Sequence, residues 1–517
     1  MAASDGMATS DGADHTPPTP LKPPPAPLTS PPAPLMSPPG TAPPQTDPAT
    51  RRPARDGGRR ASAVIAIACA GQFLVVLDVS VVNVALPSLK TGLGLSDGGL
   101  QWVLNAYAIA FAGFMLLGGR AADLFGHKRV FLVGLGLFTA ASVAGGLAET
   151  DWQLLAARVV QGLGAAVLSP TTLTIVMSAV PPGPARLRAV ATWSAVGAGG
   201  GAAGGLVGGV LTDLLSWRWV LLINAPIGVL VLVAAVLCLR ESRTAGGRRL
   251  DLTGAVLVTA GSAAIAYGVV QSERTGWTGA AAIGALLAGT LLLAAFVTDQ
   301  ARAREPLMPL RIFRSRAVSA ANAGVFVLGS ASFASWFFVT VYAQGVLGYS
   351  PLEAGLALAP SALSIVLGSK AAPRLMSLLG MRSTAVLGTV VAGVGYVLQS
   401  LMTADGSYAT TLLGPGIVMM TGMGVALTPL AALATSGVDA ADAGLASGMV
   451  NMSRTMGGAL GLAVLSTIAA ARTAGSGTAQ DLTSGYALAF RTASMVLLAG
   501  AALMCVWLPR PSKTPDV

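Results

Sequence analysis

Residues 118–129 read GGRAADLFGHKR, and residues 370–382 read KAAPRLMSLLGMR. Both combine small residues, a basic residue, an apolar helical turn, a glycine and a closing arginine. Each stands where one long apolar run gives way to the next. The second stretch is a degraded copy of the first, and the repeat divides the chain into two halves of six apolar runs. Two further runs, Leu252 to Val270 and Ala280 to Val297, lie between the halves as an inserted hairpin. Parallel halves of this kind place a substrate site at their interface near the bilayer midplane.

Composition supports lipid as the solvent. Of 517 residues, 53% are hydrophobic and only 10% charged, against roughly 25% charged in an ordinary globular protein. Runs long enough to cross a bilayer, about 20 residues each, begin near Ala63, Trp102, Val130, Leu154, Val190 and Trp219. They continue through the hairpin and then from Ser319, Ala354, Thr384, Thr410, Met449 and Leu488. That makes an all-α polytopic membrane protein of fourteen spans. Alternate loops carry the bases: Arg51 to Arg60, Lys128 and Arg129, Arg186 and Arg188, Arg240 to Arg249, Arg302 to Arg316, Arg374 and Arg382, and Arg510 and Lys513. The opposite loops are nearly bare, which places both termini in the cytoplasm. The loop with Asp439 and Asp442 is the exception.

The same loops account for the net charge of +10, so nucleic acid is not an expected partner. Residues 1–60 form a proline-rich tail with no apolar periodicity, expected to be disordered. Residues 61–240 are the first six-helix bundle, 241–315 the linker with the extra helices, 316–509 the second bundle and 510–517 a short tail. The first apolar run is too long for the core of a cleavable signal peptide. Cys69, Cys238 and Cys505, odd in number and far apart, read as buried free thiols. There is no GxxxxGK[ST] phosphate loop, no cluster of metal-ligating residues and no nucleophile with its base. ATP-driven transport by this chain alone and membrane-embedded catalysis are therefore disfavoured, and neither cofactor nor metal is expected.

Charges inside spans remain. Asp78 lies within LDVSVVNVALPSL (Leu77 to Leu89), where burying an aspartate costs about 2.5 to 3.5 kcal/mol on insertion scales. A desolvated carboxyl can bind and release protons; a plain pairing with an arginine or a capped kink is the alternative. Asn83 suits a polar helix contact and Pro87 a helix end. Arg158 opens RVVQGLGAAVLSP (Arg158 to Pro170) and should face a cavity or pair with an acid. Gly200, Gly204, Gly208 and Gly209 lie in GAGGGAAGGLVGG (Gly197 to Gly209), small residues at the spacing of a close helix contact. SWRWVLLINAPIG (Ser216 to Gly228) follows it.

In combination these motifs resemble the major facilitator superfamily, and within it the 14-helix drug:proton antiporters, over nearly everything from Ala63 to Leu508. The resemblance implies proton coupling at Asp78 and Arg158, and a conformational latch at Gly119, Arg120, Asp123, Gly126 and Arg129. Gly119 and Gly126 would permit close approach and a tight turn, and Asp123 would accept from a helix N-terminus, Arg120 or Arg129. A static charge cluster is the alternative. Gly205 departs from the family pattern, which usually has proline after Gly204; an uptake carrier or uniporter stays open on that ground. YAQGVLGYSPLEAGLALAP (Tyr342 to Pro360) and GLASGMVNMSRTMGGALG (Gly444 to Gly461) resemble later helices of the same branch. Tyr107, Trp193, Trp336, Phe337, Tyr342, Gln344, Asn451 and Arg454 are candidate substrate-cavity residues. The implied activity is proton-coupled efflux of hydrophobic or cationic small molecules across a bacterial plasma membrane by a monomer, giving drug or antibiotic resistance. Dedicated export of one host metabolite or antibiotic is the other reading.

Overall fold

The computed structural model describes residues 52–181, 183–242, 250–436, 443–473 and 478–509. The proline-rich tail up to Arg51, Arg243, Arg248, Arg249, the loop with Asp439 and Asp442, and residues 510–517 lie outside them. The described residues fold as helices: α1 Arg52–Leu93, α2 Asp97–Phe125, α3 His127–Gly146, α4 Asp151–Ala179, α5 Pro184–Leu214, α6 Trp219–Leu222, α7 Asn224–Cys238, α8 Leu252–Thr275, α9 Ala280–Arg302, α10 Arg316–Gly345, α11 Pro351–Gln399, α12 Gly414–Thr435, α13 Ala443–Thr473 and α14 Ala479–Trp507. α1 starts at Arg52, within the stretch expected to be tail. It also runs through Pro87 to Leu93, so the expected helix end is not there; the helix gives up one backbone hydrogen bond and continues.

Thirteen helical segments among the described residues are long and apolar enough to cross a membrane. One of them, α11, has 49 residues, or about 73 Å at 1.5 Å per residue, more than twice the ~30 Å hydrocarbon core. It breaks at Gly380, where φ is 81° and ψ 161°. Gly126, between α2 and α3, has φ 100° and ψ 139°. These are the corresponding glycines of the two repeats, and both adopt backbone angles that a side chain would oppose. The repeat read from sequence is therefore repeated geometry.

Backbone-to-backbone packing holds the spans together, as expected where lipid tails remove the hydrophobic drive between helices. α4 packs on α2 and α3, and α7 on α3; α11 packs on α12 and α14, and α10 on α13. A Cβ at Gly118 would stand 2.4 Å from the Ala166 carbonyl oxygen, and one at Gly164 2.7 Å from the Phe138 nitrogen. Leucines such as Leu230, Leu237 and Leu291 are left exposed on the outer surface, as suits contact with lipid. Cys69 is buried, Cys238 half-buried and Cys505 exposed; all are free thiols, but only the first is buried as expected, since Cys505 lies near the end of α14 on its outer side.

The α8–α9 hairpin packs on itself, and α8 reaches both α2 and α13. Thr467 Oγ1 of α13 donates to the Val269 carbonyl at 3.3 Å. At the hairpin's base Asp251 caps α8 through Gly254 N at 2.8 Å and accepts from Gln300 Nε2 at 2.6 Å and Leu307 N at 3.0 Å. Burial raises its pKa, yet these hydrogen bonds and the charge of Arg120 outweigh it and hold the carboxyl below its ordinary value.

Gly164→Val should lower the melting temperature of the detergent-solubilised protein by several degrees, since overpacking costs about 1–3 kcal/mol. Gly136→Val, where a Cβ meets no atom within 4 Å, should leave it nearly unchanged.

Candidate functional site

Asp78, midway along α1, is fully buried, and Arg158 of α4 is 1% exposed. Arg158 Nη1 donates to Asp78 Oδ2 at 2.7 Å. The other carboxylate oxygen accepts from Gln161 Nε2 at 2.7 Å and from Asn224 Nδ2 at 2.9 Å. Arg158 is itself held from three directions: Gln161 Oε1 accepts at 2.7 Å, the Val103 carbonyl accepts from Nε at 3.0 Å, and the Tyr107 ring lies 4.4 Å below the guanidinium. Ser142 Oγ closes the network, accepting from Gln161 at 2.6 Å.

Five helices thus converge on one ion pair. In this low-dielectric setting each charge needs the other, and both carboxylate oxygens are engaged by hydrogen bonds. Proton uptake by Asp78 would cancel one charge, leave Arg158 uncompensated and turn an acceptor into a donor. Asn224 Oδ1, the Tyr107 hydroxyl and Arg158 Nη2 are buried without a hydrogen-bond partner among the described residues. They offer an acceptor and two donors for such a rearrangement. Gln161, Asn224 and Ser142 received no role from sequence. The usable signal was polarity inside an apolar run: Gln161 follows Arg158 by three residues, on the same helix face, and Asn224 sits in NAPIG.

The repeat loop is tied at several points. Arg120 donates to the carbonyls of Glu305, Pro306 and Leu307, gripping the segment that follows the hairpin. Asp123 faces His127 Nε2 at 3.4 Å. The acceptor at the α3 N-terminus is Glu241, which takes Lys128 N at 3.2 Å and Arg129 N at 3.3 Å and faces Arg129 Nε at 3.6 Å. The close-approach glycine is Gly118; a Cβ at Gly119 would make ordinary contact with Pro170 at 3.7 Å.

The α5 glycines divide between two neighbours. Gly200, Gly204 and Gly208 lie against Phe73, Ser80 and Val81 of α1, whereas Gly209 lies against Pro351 and Leu352 of α11. Ser80 Oγ donates to the Gly201 carbonyl at 2.7 Å. A Cβ at Gly355 would stand 2.2 Å from the Gly205 carbonyl, so the departure from proline falls where the two bundles meet backbone to backbone.

The candidate substrate residues do not converge. Tyr107 belongs to the ion-pair network. Tyr342 is fully buried and donates to the Thr403 carbonyl at 2.6 Å, and Phe337 packs edge-on against Phe338. Trp193 Nε1 donates to Thr172 Oγ1 at 3.0 Å, and half-buried Trp336 borders a small cavity with Ser361, Gln399 and Met420. Gln344 Nε2 crosses from α10 to the Val84 carbonyl of α1 at 2.8 Å. Asn451 donates to its own helix at Ser447. Arg454 of α13 is exposed.

Removing either member of the buried pair should destabilise strongly, by about 3–5 kcal/mol. The double variant Asp78→Leu with Arg158→Leu should cost less than the sum of the single changes, read as melting temperatures in a double-mutant cycle.

The Major Facilitator Superfamily profile matches residues 68–462. The cephamycin export protein CmcT of Amycolatopsis lactamdurans is 45% identical over 459 residues, covering 88% of this chain and 94% of that protein. The puromycin resistance protein pur8 of Streptomyces alboniger is 37% identical over 464 residues, covering 87% and 92%. Among solved structures, the POT family transporter PepTSo superposes with a TM-score of 0.66 at 16% identity, covering 87% of this chain and 97% of that one. A bacterial homologue of the lysosomal transporter Spinster, inward-facing and unoccupied, gives 0.60 at 17%, covering 87% and 96%; at these identities the likeness concerns the fold. The chain is a multi-pass membrane protein that belongs to the Major Facilitator Superfamily.

Proposed function

We propose that the protein exports a small-molecule antibiotic or a similar compound from a bacterial cell in exchange for protons, by alternating access of two six-helix halves, residues 61–240 and 316–509. The observation that carries this reading is the sealed Asp78–Arg158 pair, a charge that can be switched by one proton inside a helical bundle. Fourteen spans, with the break at Gly380 counted, would put both termini in the cytoplasm. The contacts between bundles at Gln344–Val84, Gly205–Gly355 and Gly209–Leu352 lie toward the ends of α1, α5 and α10 away from the basic loops. They support a state closed to the outside and poised to load from the cytoplasm. Substrate would bind while Asp78 is ionised. Proton entry from the outside would release Arg158, loosen the network across α1, α2, α3, α4 and α7, and accompany substrate release. Each charge moved inward supplies about 2.3 kcal/mol per 100 mV.

In inverted membrane vesicles, Asp78→Asn should still insert, though at reduced levels, and should abolish protonophore-sensitive substrate accumulation per molecule of inserted protein. Undiminished accumulation would overturn the coupling role of this acid.

Dedicated export of one compound is favoured over broad efflux, because both relatives described above are named for a single antibiotic. Expressing the gene in a drug-sensitive bacterium should then raise resistance to one chemical class and leave a panel of unrelated cationic dyes and drugs at control values. Protection across the panel would instead favour multidrug efflux.

A further inference from the structure

Arg454 lies within α13, about 17 Å from Ala443 at 1.5 Å per residue, and its side chain is exposed. Its helix α13 is packed by α10, α2, α14 and α8. With four helices around α13, we take the exposed guanidinium to open into the space that the bundles enclose. The lipid side would be a costly alternative for an unpaired guanidinium. No carboxylate and no hydrogen-bond acceptor engages Arg454 among the described residues, whereas Arg158, the other deep arginine, has a full set of partners.

The surroundings are also amphipathic. The backbone at Arg454 packs directly on Gly329, and the backbone at Phe326 on Gly457, so that α10 and α13 cross there. Phe326 is 37% exposed, which puts an accessible aromatic ring on the helix beside the cation. Meanwhile the acid that would attract a cationic substrate, Asp78, is fully buried and neutralised by Arg158. The accessible interior therefore offers a fixed positive charge and withholds its negative one.

From this geometry we infer that Arg454 is an anion-binding subsite, and that the cargo carries a carboxylate or a comparable anionic group beside an apolar body. As a statement about cargo it rests on the exporter reading; as a statement about binding it stands on Arg454 alone. It differs from the expected hydrophobic or cationic small molecule in the sign of the charge. A carboxylate would accept charge-assisted hydrogen bonds from the planar guanidinium while apolar parts of the molecule meet Phe326.

The test uses purified full-length protein in detergent and two xanthene dyes of similar body, anionic carboxyfluorescein and cationic rhodamine 123, with binding read by fluorescence anisotropy. Carboxyfluorescein should bind the more tightly, and Arg454→Gln should weaken it about 10- to 100-fold, as for the loss of a charged hydrogen bond. Arg454→Lys should retain most of the affinity, and equal melting temperatures establish that the variants fold. Tighter binding of rhodamine 123, no measurable binding of carboxyfluorescein, or an affinity unchanged in Arg454→Gln would each overturn the proposal. Binding needs no gradient, so a protein that binds the anion in this way but confers resistance to no antibiotic in the drug-sensitive host overturns the exporter reading and leaves the anion site standing.

Discussion

A carboxylate and a guanidinium 2.7 Å apart, with almost no exposure, set the terms for the first bundle. Neither charge could be left in such surroundings alone, so the helices that carry their partners must stay in register. α1 brings Asp78, α4 brings Arg158 and Gln161, α3 brings Ser142, α7 brings Asn224, and α2 brings the Val103 carbonyl and the Tyr107 ring. Buried networks of this kind are demanding because every member must be satisfied. The same requirement ties the pair to all five helices, so a change at either charge is felt in each of them.

Around that fixed point, close backbone contact takes the place of a hydrophobic core. α5 shows how one helix serves two neighbours. Its glycines at 200, 204 and 208 follow the four-residue spacing of one face and meet α1, while Gly205 and Gly209, one position on, meet α11. A proline at 205 would have bent α5, whereas glycine lets its carbonyl lie against Gly355. The absence of proline thus has a packing explanation that does not depend on the direction of transport.

Much of this was legible in the sequence because lipid simplifies the code. Apolar length finds spans, and an acid inside a span announces itself. The repeat was legible for the same reason, and its two glycines do share a backbone conformation. What escaped was three-dimensional partnership. Gln161 and Asn224 carry no charge, so their hydropathy cost was diluted by neighbours, although they complete the coordination of Asp78. Glu241 lies far along the chain from the α3 N-terminus that it caps, and nothing local links the two. For the aromatic candidates the sequence does not separate packing from ligand contact, because a ring in an apolar helix suits both; Tyr342 and Phe337 are engaged in packing and hydrogen bonding.

The inserted hairpin makes the two seams between the bundles unequal. α8 lies along one seam, touching α2 and α13 together, and Arg120 and Asp251 fasten its base through the same short segment. The other seam is formed by α5 and α11, with glycine carbonyls where side chains would otherwise interlock. The two flanks of the molecule thus differ in kind: one seam is overlaid by a third element, the other rests on direct backbone contact between α5 and α11.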